Sequence, residues 1–168
     1  LVEGQMDVIQ LVQSGIENVV ASGGTALTTN QIRLLHRFTE HITLLYDGDK
    51  AGIKAAIRGI DMMLEEGLNV RIILLPEGED PDSFAKTHNA SDLQAFLDNN
   101  TQDFIRFKTQ LLSEDAQNDP TKRSEMILQI VRSIAVIPDV IKRQVYIKDT
   151  AALLAIPEDV LTRKVTEI

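Results

Sequence analysis

The sequence contains no cysteine and no tryptophan. Without cysteine there is no disulfide framework and no thiolate zinc site, a composition that fits a reducing cytoplasm. Aromatic residues supply only 4% of the chain, so leucine, isoleucine, valine and alanine must fill the core that a 43% apolar content can build. No apolar run approaches the length that crosses a bilayer, and the N-terminus lacks a basic-then-apolar export pattern. No membrane partner is therefore expected, and the expected location is the cytoplasm. An initiator methionine is also lacking: the chain opens on Leu1-Val2-Glu3, as if partway into an apolar strand, and reads as a piece of a longer protein.

Basic charge is the last thing in short supply. The net charge is −8, and residues 1–97 hold seven Lys/Arg against fourteen Asp/Glu, while residues 98–168 hold ten against eleven. A surface that grips a nucleic-acid backbone unaided should be basic, because phosphate neutralisation supplies most of the affinity. Composition thus argues against this piece gripping DNA alone. Carboxylates grouped to hold divalent cations would account for part of the excess acid.

What is present is an alternation of short apolar runs with helical patterns. Leu1-Val2-Glu3, Asn18 to Ala21, Ile42 to Tyr46 and Val70 to Leu75 read as buried strands. Between them, Met6 to Ser14, Thr28 to about Phe38 and Ala51 to Glu66 read as helices, with Gly15 and Gly67 as stops and Thr28-Thr29-Asn30-Gln31 in capping-box form. That order predicts βαβ units, a parallel sheet and right-handed crossovers. From about Ser91, where Ser91-Asp92-Leu93-Gln94 is a second capping box, the strand signal stops. Thr101 to Ser113, Pro120 to Ile137 and Asp139 to Ile156 read as amphipathic helices, with Pro120 and Pro157 at first turns and Pro138 as a separator. The expected organisation is an α/β domain over 1–98 and a small all-α bundle over 99–168 with no chemistry of its own.

In a parallel sheet, ligands bind beyond the carboxyl ends of the strands. Three of the expected strands end in acids: Glu3 with Asp7 just inside the next helix, Asp47-Gly48-Asp49, and Glu77-Gly78-Glu79-Asp80-Pro81-Asp82. Any one such cluster is ordinarily a solvated turn. Three of them on one rim repel one another unless protonated or neutralised, and hard oxygen donors select Mg²⁺, Mn²⁺ or Ca²⁺. The Asp47-Gly48-Asp49 string does not open an EF-hand, because its twelfth position is Arg58 and a strand leads in. A phospho-acceptor role for Asp47 would leave the other acids surplus. Gly23-Gly24-Thr25 follows a strand and precedes a helix, where backbone N–H groups can meet phosphate, although a plain turn has the same composition. His36, His41 and His88 show no metal-ligand spacing.

Four strings, in order, carry a family resemblance: Val2-Glu3-Gly4-Gln5-Met6-Asp7-Val8, Gly24-Thr25-Ala26-Leu27-Thr28, Tyr46-Asp47-Gly48-Asp49-Lys50-Ala51-Gly52 and Gly78-Glu79-Asp80-Pro81-Asp82-Ser83. The glutamate and the Asp-Gly-Asp turn resemble the Toprim signature, and the longer strings resemble bacterial DnaG-type primases; residues 142–161 are similar to the helical end of that family's RNA polymerase domain. Gln5 stands where the family commonly has tyrosine. The resemblance implies a Toprim sheet followed by helices, and template-directed synthesis of short RNA primers on single-stranded DNA from ribonucleoside triphosphates. It implies Mg²⁺, with Mn²⁺ as a substitute, held by Asp47 and Asp49, with Glu3 as shared ligand or proton acceptor, Asp80 and Asp82 completing the site and Asp7 beside them. Gly24, Thr25 and Lys50 are the candidates to meet the nucleotide's phosphates. The family's zinc module, basic N-terminal half and helicase-binding C-terminal domain lie outside this sequence, so zinc and the replicative helicase are expected to bind there and the isolated piece to synthesise nothing. The alternatives are another Toprim enzyme, a topoisomerase or nuclease, and a non-enzymatic recombination scaffold. A topoisomerase needs a nucleophilic tyrosine, and Tyr46 and Tyr146 sit inside a strand and a helix.

Overall fold

A computed structural model of the chain describes residues 1–24, 27–47, 50–76, 78–116 and 119–168. β1 (His41–Tyr46) and β2 (Asn69–Leu74) pair in parallel, with Ile42 opposite Val70 and Leu44 opposite Ile72. The run Ile42 to Tyr46 is nearly all apolar because both faces of the pair are covered. Ile42, Leu44, Tyr46, Val70 and Ile72 belong to one core, while Leu45, Ile73 and Leu75 belong to the other. Residues 1–3 lie along the free edge of β1. The Leu1 nitrogen donates to the Thr43 carbonyl (2.7 Å) and Leu45 N–H to the Leu1 carbonyl (3.0 Å), the stagger of a parallel pair. Val2 in turn bridges Ala21 in parallel, through its own N–H to the Val20 carbonyl (2.9 Å) and Ser22 N–H to its carbonyl (3.0 Å). The expected parallel arrangement is therefore present, in the spatial order 20–22, 1–3, β1, β2, although the outer two members form bridges rather than full ladders.

Helices cover both faces. α1 (Gln5–Gln13), α4 (Pro81–Thr87) and α5 (Ala90–Asn100) bury Leu11, Phe84 and Leu93 against Val2, Leu45 and Ile73. On the opposite face α2 (Thr29–His36) and α3 (Lys50–Glu65) bury Ile32, Ala56, Ile60 and Met63. α1 and α2 fall on opposite faces because the chain steps outward from 1–3 to 20–22 and then back to β1. Right-handed crossovers in opposite directions place their helices on opposite sides.

Two elements differ from the expectation. α4 occupies a stretch that reads as an acidic loop: Asp80 caps it, accepting from Ser83 N–H at 2.6 Å, and Pro81 takes the first turn, where no N–H is needed. Thr101 does not open a helix. Gln102–Asp103 instead form β3, antiparallel to β2, with Asp103 opposite Arg71. The opposite charges suit a cross-strand pair, and Asp103 Oδ1 also accepts from Ile105 and Arg106 N–H (3.0 Å each), starting α6 (Phe104–Ala116). The cap of α5 is Asn89, which accepts from Asp92 N–H at 2.9 Å, two residues before the expected Ser91.

α7 (Pro120–Ala135), α8 (Val140–Leu154) and α9 (Glu158–Glu167) complete the chain. Their buried residues Ile130, Ile134, Ile147 and Leu161 lie in the same core as Leu44, Ile60 and Ile72. The late helices thus continue the sheet's own core. Among the described residues no helix is long and apolar enough to cross a membrane.

One polar link runs through this junction. Lys108 on α6 has a side chain only 3% exposed, and its Nζ donates to Asp61 Oδ1 on α3 (2.7 Å) and to Ser133 Oγ on α7. A buried ammonium without its carboxylate is costly, whereas replacing the whole pair by apolar groups is often neutral. Asp61→Ala is expected to lower the urea unfolding free energy by about 1–3 kcal/mol. Adding Lys108→Met to it should restore most of that loss. Additive losses in the double variant would show that Lys108 is not the group left stranded.

Candidate functional site

The acids stand at the carboxyl ends of parallel strands, and the backbone explains how each is held. Residues 1–3 end at Glu3, and the chain turns at Gly4 into α1. Gly4 N–H donates to Asp7 Oδ2 at 2.9 Å, which locks the Asp7 carboxylate against the turn at the N-terminal end of the helix. An anion there is favoured by the helix dipole. The Glu3 carbonyl accepts from both Gly23 and Gly24 N–H (3.1 and 3.0 Å). Those two glycines have φ of +85° and +72°, the left-handed region that a side chain would strain. The glycine turn thereby fastens the backbone of Glu3, and the N–H of Gly24, a candidate phosphate donor, already has a partner. The expected capping box follows: Thr28 and Gln31 exchange hydrogen bonds (3.3 and 2.9 Å), and Gln31 Nε2 donates to the Ser22 carbonyl (3.3 Å), tying α2 to the same turn.

β1 delivers Tyr46 and then Asp47 at the same rim. The Tyr46 hydroxyl is pushed up to about 12 by burial and, secondarily, by the negative charge of Glu3. Tyr46 is thus a neutral neighbour of Glu3, a position to which its sequence context assigned nothing beyond strand; the available signal was its place directly before Asp47. Asp49 and Thr25 lie outside the described residues, and Lys50 opens α3 with its side chain outside them.

The third cluster follows β2. Asp80 is the cap of α4, Asp82 lies in its first turn and pairs with Lys86 one turn on, and Glu79 accepts from the Ser83 hydroxyl (2.5 Å). Each acid thus has a local structural use that the strings alone did not reveal. α1 and α4 pack side by side, which brings Asp7 to Asp80 and Asp82. Burial raises the Asp7 pKa above the usual carboxylate value, and the charges of Asp80 and Asp82 raise it further. The N–H groups of Gly4 and Asp82 oppose that shift. Asp82 Oδ1 is buried and makes no hydrogen bond among the described residues. A set of hard carboxylate oxygens, one buried and without a hydrogen bond among the described residues and another raised above its normal pKa by burial and then by like charges, fits a divalent cation of the Mg²⁺ or Mn²⁺ type. Among the described residues, no three His, Cys, Asp or Glu already stand together as a metal-holding group.

Comparison with known proteins adds the following. A family profile described as Toprim-like matches residues 1–85, and one described as the DnaB-helicase binding domain of primase matches residues 105–159. The DNA primase of Clostridium acetobutylicum is 37% identical over 164 residues, which is 96% of this chain and 27% of that protein. A DNA primase domain from Pseudomonas aeruginosa superposes with a TM-score of 0.85 at 29% identity, over 98% of this chain and 53% of that one. A DnaG primase catalytic domain bound to single-stranded DNA gives 0.78 at 29% identity, over 90% and 51%. The chain thus spans about a quarter of the curated relative and about half of the solved domains. The expectation placed the helicase contact outside this sequence, whereas the second profile falls on α6 to α8. Both solved primase domains nevertheless superpose over nearly the whole chain, which agrees with the single core joining those helices to the sheet.

Because the folded state holds the Asp7 proton more tightly than the unfolded chain does, Asp7 costs stability as pH rises through the ordinary carboxylate range up to its raised pKa, and the cost is complete above that. Asp7→Asn is therefore expected to raise the thermal midpoint at pH 7, with the gain shrinking to nothing as pH falls below the carboxylate range. A gain that persists unchanged in acid would contradict the electrostatic origin.

Proposed function

The chain belongs to the Toprim-like family, and we propose that it is the part of a bacterial DnaG-type primase that supplies the acidic cation site for RNA primer synthesis. The observation that carries this reading is the convergence of three acidic strand ends on one rim, where Asp7 lies beside Asp80 and Asp82 and is destabilised as an anion first by burial and further by their charges. A rim so charged is poorly suited to hold template DNA by itself, and well suited to hold Mg²⁺ and through it a triphosphate. In this reading Asp47 and Asp49 are the principal ligands and Glu3 a shared ligand or proton acceptor. Asp82, with its unsatisfied oxygen, Asp80 and Asp7 complete the set. When bound, divalent cations would offset the charge of the triphosphate and lower the pKa of the attacking 3′-hydroxyl.

The residues of the chain have their own tasks. Glu3, whose backbone is fixed through its carbonyl by the glycine turn, is in this reading a shared ligand or the acceptor of the proton that the primer's 3′-hydroxyl loses on attacking the α-phosphate of the next ribonucleotide. That attack forms one phosphodiester bond and expels pyrophosphate. Tyr46, neutral at physiological pH, keeps the floor beside Glu3 uncharged. Lys50, at the start of α3, and the Gly24-Thr25 turn are the candidates to meet phosphate, the Gly24 N–H only by giving up its bond to the Glu3 carbonyl. Single-stranded DNA and ribonucleoside triphosphates are the proposed partners of the whole enzyme, and the piece alone is expected to hold cations without making primers. The replicative helicase is a further proposed partner. The profile match over residues 105–159 supports a contact on α6 to α8, in place of one confined to a further C-terminal domain.

The full-length primase carrying Asp47→Asn or Asp49→Asn should lose primer synthesis by on the order of 100-fold or more while keeping its circular dichroism and unfolding midpoint. Near-normal priming by either variant would remove the acids from the catalytic site.

A further inference from the structure

A second feature lies away from the acidic rim. α7 and α9 do not close on each other along their whole length: a groove of about 560 Å³ runs between them. Its floor is apolar, with Val131 and Leu161 buried and Ile127, Leu128 and Ile156 half-buried, while Val160 stands 44% exposed at its edge. Its rim is cationic. Arg123, Arg163 and Lys164 line it against the single acid Glu167, in a chain whose net charge is −8.

These cations are only lightly committed. Arg123 donates to the Leu154 carbonyl at 3.3 Å, at the end of α8, and that bond takes one of its five N–H groups. Arg163 meets Asp159 at 3.6 Å with both side chains more than two-thirds exposed, and Lys164 meets Glu167 at 2.9 Å with both about half exposed. Exposed pairs within one helix contribute little and are readily exchanged for an incoming carboxylate.

The chemistry separates two classes of anionic occupant. A single-stranded nucleic acid would need aromatic platforms for its bases as well as cations, and among the described residues no aromatic side chain lines the groove. An apolar floor of branched aliphatic side chains between cationic rims is instead complementary to a helix with one apolar stripe flanked by carboxylates. We infer that the α7–α9 groove is a docking site for an acidic amphipathic helix of a protein partner. Apolar side chains at helical spacing would sit over Ile127, Leu128 and Val131, and the flanking carboxylates would meet Arg163, Lys164 and Arg123. The inference is independent of the catalytic reading, because no residue of the acidic rim takes part.

The test uses two designed helical peptides with leucine at the same helical positions, one carrying glutamate on its flanks and the other lysine. Fluorescence anisotropy is read with the 168-residue chain. The glutamate peptide should bind saturably. Arg163→Glu/Lys164→Glu should weaken it by about tenfold or more while binding the lysine peptide better than the parent chain does. Val160→Asp, which leaves the cations in place, should weaken the glutamate peptide as well. Circular dichroism identifies any variant that fails to fold, and the exposure of these three positions makes that loss unexpected. Binding indifferent to the charge reversal overturns the inference. So does binding of a labelled oligothymidylate in place of the peptide, or concentration-dependent self-association in sedimentation that Val160→Asp abolishes, which would assign the groove to nucleic acid or to a second copy of the chain.

Discussion

The burial of β1 on both faces is the constraint from which the remaining structure follows. A strand with Ile42, Leu44 and Tyr46 in one core and Leu45 in the other needs helices over both faces, while His41 and Thr43 near its start stay exposed. Parallel pairing with residues 1–3 and with β2 then aims all three strand ends at one rim. The strands lead there into Glu3, into Asp47 and, after β2, into Asp80 and Asp82. In the proposed reading the site is a consequence of topology: acids far apart in sequence fall at one rim because the strands that precede them run in the same direction.

Gathering like charges opposes folding, and the structure shows contacts that moderate the opposition. Gly4 N–H and the N-terminal end of α1 stabilise Asp7, Ser83 N–H holds Asp80, and Lys86 meets Asp82. These contacts do not cancel the cost, because burial and then the neighbouring charges keep the Asp7 pKa raised, and Asp82 Oδ1 makes no hydrogen bond among the described residues. In the proposed reading, a bound divalent cation would relieve that residual instability.

Much of this was legible in the chain. The apolar run Ile42 to Tyr46 announced a strand buried on both faces, and the glycine-rich turn and the Thr28 capping box fell where expected. The acidic strings were legible as a group, but their local roles were not. Asp80-Pro81-Asp82-Ser83 reads equally as a ligand loop or as a helix cap, and it forms a cap. β3 was missed because two residues carry no periodicity; its existence depends on the free edge of β2 and on Arg71 facing Asp103. Lys108 was invisible for a similar reason, since one lysine in an amphipathic helix looks solvated until Asp61 and Ser133 from other helices close over it. Local chemistry sets the elements, and what depends on non-local partners appears only once the elements are packed.

The central claim is that the acidic rim is a cation site formed by the ends of the parallel strands. A calorimetric titration of the chain with Mn²⁺, run beside its Asp47→Asn/Asp49→Asn double variant, tests it most directly. Saturable binding by the parent chain that is lost in the double variant is the predicted result. Equal binding isotherms for the two proteins would contradict the claim and place the cation, if any, elsewhere.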